Sequence, residues 1–242
     1  MYEVINLKKQ YILVVLLFFF FIFGTYYVSN YESYENVQQV FNVADLKANC
    51  EIKEIKENTD TYDISVYYPE TSYTNLNTTI QEKMSYYIDF FKNEIVQLSP
   101  LEGRKFELQI TFSSDEYEDY ISYIFNIFED FGGAHPSTTM WTITYNIKEN
   151  KIVDIKYLVD KNKDVLQILS EESFNILKED EVIKEAQVEE MVLSGTKPKE
   201  ENFLDFAFTQ DGLKIFFERY SIAPYALGDF VVTISYDKLN IL

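Results

Sequence analysis

Phe128-Glu129-Asp130-Phe131-Gly132-Gly133-Ala134-His135-Pro136, followed at once by Ser137-Thr138-Thr139-Met140-Trp141-Thr142-Ile143-Thr144-Tyr145, is the stretch on which the reading of this chain turns. It contains the single histidine and the single tryptophan of the sequence, set between two runs rich in β-branched and aromatic residues. Gly132 and Gly133 can take positive φ where other residues meet a steric penalty, and Pro136 pushes His135 out of the helical region. The run therefore reads as a reversal between two strands, with an imidazole held at the rim of a sheet.

Outward from this turn, short alternating segments recur. Residues 51–56 and 62–68 alternate as two strands, the second closed by Pro69, and residues 105–114 alternate through Phe106, Leu108, Ile110 and Phe112. Residues 117–131 fit either period, and the β-branched and aromatic content together with the diglycine stop favour a strand. Residues 138–145 and 151–155 form the next pair, joined through Lys148-Glu149-Asn150. Three closing strands are expected over 203–209, 213–218 and 229–236, with a turn at Gln210-Asp211-Gly212. Helical spacing appears over 75–98, where Leu76, Ile80, Met84, Tyr87, Ile88, Phe91, Ile95 and Leu98 recur, with Asn75 or Asn77 as cap and Ser99-Pro100 as stop. Two further helices are expected over 165–177 and 181–193, the latter stopped by Gly195 and Pro198. Strands and helices are mostly segregated, which predicts an α+β fold with a mostly antiparallel sheet packed with helices.

The chain of 242 residues is 47% apolar and 25% charged, a globular composition, but its 17% aromatic share, with 20 Tyr and 20 Phe, is high and suits half-buried strands. The formal charge is −19 and no basic stripe occurs, which argues against nucleic acid as a partner. An acidic surface speeds encounters with cationic proteins; it also simply keeps a domain soluble. With one Cys and one His there is neither an intramolecular disulfide nor the usual ligand set of a zinc site, and no metal or other cofactor is expected.

No charged residue occurs from Gln10 to Tyr31. A helix over 11–28, at about 1.5 Å per residue, spans most of a hydrocarbon core of roughly 30 Å. Lys8 and Lys9 precede it while Glu32 and Glu35 follow, so the positive-inside rule places the N-terminus in the cytoplasm. The expected organisation is a cytoplasmic tip (1–10), one N-terminal transmembrane helix (11–28), a spacer (29–49) and an extracytoplasmic domain (50–242). A cleavable signal peptide is the competing reading, but Gly24-Thr25-Tyr26-Tyr27-Val28 is bulky where small residues are wanted.

Few residues suggest chemistry. Any His-dependent acid–base or nucleophilic mechanism must use His135, with Ser137, Thr138 and Asp130 as chain neighbours, yet no nucleophile-elbow pattern surrounds a serine and a structural hydrogen bond in the turn is the expected role. Asp160, Asn162, Asp164 and Glu171 match acidic positions of a calcium loop, but Val165 stands where the bend needs glycine, so a helix start capped by Asp160 or Asn162 is preferred. The acidic runs 115–119 and 129–130 supply paired carboxylates of the kind glycosidases use, and solvated strand ends explain them equally. Tyr220, Tyr225 and Tyr236 are candidates for an exposed aromatic face, with core packing as the default.

The order of these features resembles the RsiV-like ectodomain family: a strand ending in Phe131-Gly132-Gly133-Ala134-His135-Pro136, a Thr-rich strand, Tyr157-Leu158-Val159 before a helix, then Phe208-Thr209-Gln210-Asp211-Gly212-Leu213 and Ile222-Ala223-Pro224-Tyr225-Ala226-Leu227-Gly228 before a last strand. That family includes extracytoplasmic regions of lysozyme-sensing anti-sigma factors and the N-terminal region of PdaC-type peptidoglycan deacetylases. The resemblance covers residues 50–242 and implies an α+β envelope domain that binds a muramidase such as lysozyme, or a cell-wall polymer. It assigns no catalytic residue; the binding residues expected from its two motifs are Gly132, Gly133, His135, Pro136 and Tyr225. Residues 1–10 are too short for a sigma-factor-binding domain and no deacetylase domain follows, so neither activity is expected. The alternatives kept open are a wall-glycan-modifying enzyme using carboxylates with His135, and a structural envelope protein without ligand.

Overall fold

Side-chain alternation and one long amphipathic helix determine how the sheet is assembled. The computed structural model describes residues 50–100 and 103–242. β1 (Glu51–Asn58) and β2 (Tyr62–Glu70) form an antiparallel hairpin. Thr59 closes it, its hydroxyl accepting from the Tyr62 amide at 2.9 Å. Helix α1 (Thr74–Ile95) then crosses over to β3 (Phe106–Tyr117), which pairs parallel with β2, a connection that needs such a crossover. β4 (Tyr120–Asp130), β5 (Ser137–Asn146) and the short β6 (Lys151–Val153) follow as antiparallel neighbours. Among the described residues the sheet order is β1-β2-β3-β4-β5-β6.

The apolar stripe Leu76, Ile80, Met84, Ile88, Phe91 and Ile95 is buried on α1. Its aromatics meet the sheet: Phe91 packs on Tyr62 of β2 and on Phe131 just beyond β4. Lys83 lies over Trp141 of β5, which stacks on its cross-strand partner Phe125. Each fully buried Phe, Leu or Ile contributes about 1.5–3 kcal/mol of burial free energy.

On β4 and β5, side chains one position out of step with Phe125 and Trp141 point away from α1. A second, three-stranded sheet packs near them, with β7 (Phe206–Thr209), β8 (Gly212–Phe217) and β9 (Phe230–Ile234) antiparallel in that order. The junction is polar. Ser122 accepts from the Phe208 amide at 2.9 Å and bonds Thr144 at 2.8 Å, while Thr142 accepts from the Phe206 amide at 2.9 Å. These hydroxyls satisfy amides of an edge strand that would otherwise be buried unpaired. Helices α2 (Ile155–Lys161), α3 (Val165–Leu177), α4 (Glu181–Ala186), α5 (Glu189–Gly195) and α6 (Tyr236–Leu239) share one hydrophobic core with this second sheet, built on Leu158, Leu169, Val192, Phe208, Leu213, Val232 and Leu239.

The α+β class and the mainly antiparallel pairing match the reading of the sequence; several details differ. The closing strands make their own sheet rather than extending the first, and one pairing, β2 with β3, is parallel. Pro69 lies inside β2, beyond Val66, where β3 no longer flanks the strand and one edge is free. Neither Asn75 nor Asn77 caps α1: Tyr73 holds that position without a side-chain bond. Asn77 clamps Thr71 instead, and Asn75 accepts from the Tyr145 hydroxyl. Ile155 starts a helix, not a strand end, because Asp154 caps it by accepting from the Tyr157 amide. Asp160 belongs to that helix and pairs with Lys163, and Asp164, not Asp160 or Asn162, stands at the head of α3. The single helix expected over 181–193 is broken at Gln187, which takes a left-handed φ of 56°. The tip 1–10, the transmembrane helix 11–28 and the spacer 29–49 lie outside the described residues. Among the described residues no helix is long and apolar enough to cross a membrane.

Candidate functional site

The turn that leaves β4 is built on Asp130. One of its carboxylate oxygens accepts from the Gly132 amide at 2.8 Å, and the other accepts from the Arg104 guanidinium at 2.9 Å. Gly132 sits at φ 72°, a left-handed conformation that favours glycine, and a Cβ there would press on the Phe106 ring at 3.1 Å. The turn delivers His135, exposed, to one end of β5.

There it meets the loop between β8 and β9. The His135 and Tyr225 rings stack with centroids 4.8 Å apart. The Tyr225 hydroxyl lies 3.2 Å from His135 Nδ1 and 3.2 Å from the Pro136 carbonyl, and it accepts from the Arg219 guanidinium at 2.8 Å. His135 Nδ1 is also 3.1 Å from the Pro136 carbonyl, which can only accept; a proton on Nδ1 satisfies that contact and leaves Nε2 as an acceptor. The Arg219 guanidinium covers the Tyr225 ring at 4.7 Å, and Tyr220, 68% exposed, packs beside Tyr225 with centroids 5.5 Å apart. Asp229 holds the Arg219 amide at 3.0 Å.

The same loop follows the free edge of β5. Only Thr144 to Asn146 pair with β6, so the edge backbone groups before them need other partners. Asp205 accepts from the Thr142 amide at 2.8 Å, Glu218 accepts from the Met140 amide at 3.1 Å, and the Tyr225 hydroxyl reaches the Pro136 carbonyl. Thr142, Met140 and Pro136 alternate along one edge, as the strand period requires. Burial raises the Asp205 carboxyl above the usual range although Thr142 hydrogen bonds oppose it.

A second group of side chains lies toward α1. The Lys83 ammonium is 5.5, 5.1 and 5.5 Å from the ring centres of Tyr86, Tyr87 and Trp141. Burial, then the carboxylates of Glu218, Asp205 and Glu129, hold the Tyr87 hydroxyl well above the usual tyrosine value. Glu129 is 8% exposed, and its Oε1 is buried with no hydrogen-bond partner among the described residues. Burial, with a smaller contribution from Glu94, raises its carboxyl above the ordinary range.

Of the residues expected from the sequence, His135, Pro136 and Tyr225 are brought into contact, and Gly132 with Gly133 shapes the turn that carries them. Asp130 is taken up by Arg104 and Gly132, and the hydrogen-bond partners of His135 are Tyr225 and the Pro136 carbonyl rather than Ser137, Thr138 or Asp130. Tyr236 is elsewhere, stacked on Tyr117 and bonded to Thr209, so the aromatic face reduces to Tyr220 and Tyr225. The calcium-loop residues do not converge: Asp160 pairs with Lys163, Asn162 with the Asp164 amide and Glu171 with Gln167. Among the described residues no group of three or more His, Cys, Asp or Glu could hold a metal ion. Sequence reasoning missed Arg219, Glu218 and Asp205. Their signal is slight: charged residues at strand ends, where solvation is the default expectation.

Residues 156–237 match the model of a family described as a protein of unknown function, DUF3298. That span includes the Tyr225 loop but not His135. The chain is 25% identical over 194 residues to the peptidoglycan-N-acetylmuramic acid deacetylase PdaC of Bacillus subtilis, covering 79% of this chain and 41% of that protein. The chain thus spans less than half the length of this curated relative. Two solved structures are similar in fold. A member of the DUF3298 family from Bacteroides fragilis has a TM-score of 0.50 at 16% identity, covering 79% of this chain and 92% of that one. A DUF3298 family protein from Pseudomonas aeruginosa has a TM-score of 0.55 at 12% identity, covering 80% and 94%.

Proposed function

We propose that residues 50–242 form a binding module of the bacterial cell envelope, RsiV-like in kind, held outside the cell by the membrane anchor expected over 11–28. Its ligand is a cationic protein such as lysozyme, or a cell-wall polymer. The observation that carries this reading is the contact of His135 with Tyr225. Two motifs far apart in the chain are joined at an exposed rim, backed by Arg219 and flanked by Tyr220. An exposed tyrosine beside a half-buried tyrosine and arginine on an ordered support is the material of interface hot spots.

Two further facts support the reading. The formal charge of −19 favours encounter with a basic partner. The relative that shares this part of its length is named for action on peptidoglycan. His135 meets a tyrosine hydroxyl and a backbone carbonyl, which is the arrangement of a positioned side chain rather than of a base next to a nucleophile.

Two assays test it. Protease added to intact cells is expected to remove the domain; survival in intact cells with loss only after lysis refutes the outward placement. Co-sedimentation with purified peptidoglycan and pull-down with lysozyme, each repeated with Tyr225→Ala, are expected to show retention in at least one assay that the variant loses. Retention in neither refutes the binding reading.

A further inference from the structure

β1 ends the six-stranded sheet: among the described residues β2 flanks it on one side and no strand flanks it on the other. Which of its backbone groups face outward follows from the hairpin. The Thr59 amide donates to the Tyr62 carbonyl at 2.9 Å, in the register that pairs Asn58 with Asp63. Opposed residues of an antiparallel ladder alternate between hydrogen-bonded and non-hydrogen-bonded pairs, so Glu57, Ile55, Lys53 and Glu51 turn their N–H and C=O groups toward β2. Asn58, Lys56, Glu54 and Ile52 turn theirs away from it. The Phe106 amide, donating to the Thr61 carbonyl at 3.0 Å, fixes the same phase on the far side of β2. An edge of this length is a template for another strand. At the other end of the sheet, by contrast, Asp205 and Glu218 already hold the Thr142 and Met140 amides of β5.

The side chains of β1 are complementary in charge to their own reversal. Lys53-Glu54-Ile55-Lys56-Glu57 reads basic, acidic, apolar, basic, acidic, and backward it reads acidic, basic, apolar, acidic, basic. A second copy running antiparallel about Ile55 therefore sets Lys53 opposite the partner's Glu57 and Glu54 opposite the partner's Lys56, and the two-fold axis repeats both pairs. The backbone phase permits this register, because an outward-facing residue must oppose another and the axis then falls on a residue rather than between two. Shifted by one residue to centre on Glu54 or Lys56, the strand sets Glu54 against Glu54 or Lys56 against Lys56. Like charges directly opposite are destabilising, so the sequence selects one register.

The ion pairs within one copy are compatible with this. Lys53 holds Glu51 at 2.9 Å and Glu70 at 2.8 Å, Lys56 holds Glu54, and Glu57 holds Lys92 at 2.7 Å, all on side chains at least 34% exposed. Exposed pairs contribute little singly, and each can persist as part of a longer row of alternating charge.

We propose that β1 is a dimer edge, where a second copy of this chain adds its own β1 antiparallel about Ile55 and joins the two six-stranded sheets into one. Glu54 and Lys56 exchange backbone hydrogen bonds with the partner's Lys56 and Glu54, and Ile55 packs on the partner's Ile55. A two-fold contact uses the same edge in both copies, so assembly closes at two. The inference needs neither a ligand nor the His135–Tyr225 rim, and stands or falls apart from the binding reading.

The test uses the full chain in detergent with Cys50→Ser, which removes the free thiol beside β1. In this background Ile55→Cys is expected to form a disulfide-linked dimer under mild oxidation at least fivefold faster than Asn58→Cys. A non-hydrogen-bonded pair brings its Cα atoms to about 4.5 Å, within the span of a disulfide, whereas Asn58 lies opposite the partner's Ile52 and far from the partner's Asn58. Adding Glu54→Lys to the Ile55→Cys chain makes two cross-strand pairs repulsive and is expected to slow cross-linking at least fivefold. Adding Lys56→Glu as well restores the complementarity and is expected to restore the rate. Sedimentation with Ile55 unaltered, where Glu54→Lys lowers the dimer fraction and the double variant recovers it, serves if Ile55→Cys folds poorly. Cross-linking no faster at position 55 than at 58, or a Glu54→Lys variant that dimerises like its parent, or a double variant that fails to recover, overturns the proposal.

Discussion

Tyr225 donates or accepts at three points, to Arg219, to the Pro136 carbonyl and to His135 Nδ1, and so ties the β8–β9 loop to the turn between β4 and β5 across two sheets. The rim is a product of tertiary packing: the second sheet must dock before either motif has its partner.

Tyr225→Phe keeps the ring stack and removes the hydroxyl. Two of the lost bonds are part-buried and one is exposed, and the expected stability loss is about 1 kcal/mol, read as a small fall in urea midpoint at unchanged slope. Arg219 loses its acceptor and the loop loosens, so proteolysis within residues 218–229 is expected to quicken. Identical midpoints and identical cleavage would show that the hydroxyl does not hold the loop.

Gly195 ends α5 against that loop. A Cβ there would overlap the Ser221 carbonyl oxygen and lie 2.7 Å from Ile222 Cγ2. Gly195→Ala must displace backbone rather than a flexible side chain, with an expected cost of at least about 1–3 kcal/mol. A melting temperature within a degree of the parent would contradict the packing described.

Asp205→Ala leaves the Thr142 amide and hydroxyl without their acceptor on the uncovered part of β5. Loss of a partner from buried donors costs about 1–3 kcal/mol. Asp205→Asn, which keeps an acceptor oxygen, is expected to recover most of it; equal loss in both variants would mean that charge rather than the bond matters.

The acid limb of stability contains opposing groups. Burial raises Glu129, so its ionised form destabilises the fold at neutral pH and the penalty disappears as pH falls through its raised folded value toward the ordinary glutamate range. Glu149 is the reverse. Lys151, then Tyr157 and Lys161, hold it at about 2, so its stabilisation is full above the ordinary value of 4.5 and is lost as pH falls toward 2. Glu129→Gln is therefore expected to raise the melting temperature at pH 7 and to lose that advantage near pH 4, whereas Glu149→Gln lowers it at pH 7 and converges with the parent near pH 2. Parallel curves across the range would contradict both assignments.

How much of this was legible in the sequence depends on what each position must hide. The stripe from Leu76 to Ile95 and the alternation of β3 announce themselves because one face is apolar. The second sheet does not, because its contact with the first runs through Ser122, Thr142 and Thr144, hydroxyls that read as solvated in a one-dimensional pattern and are in fact buried. The break at Gln187 carries neither glycine nor proline, so periodicity runs through it. At the rim, Gly132, Gly133 and Pro136 force a turn by local sterics alone, whereas Arg219 and Glu218 matter only through partners that the chain brings from far away.

The most direct measurement of the central claim is a calorimetric titration of lysozyme into the full chain and into Tyr225→Ala, at low and at high salt. Binding by the parent that weakens as salt rises, and that falls at least tenfold in the variant, is the predicted result. Binding equal in parent and variant contradicts the rim as the binding surface, and binding absent at every salt concentration contradicts lysozyme as its ligand.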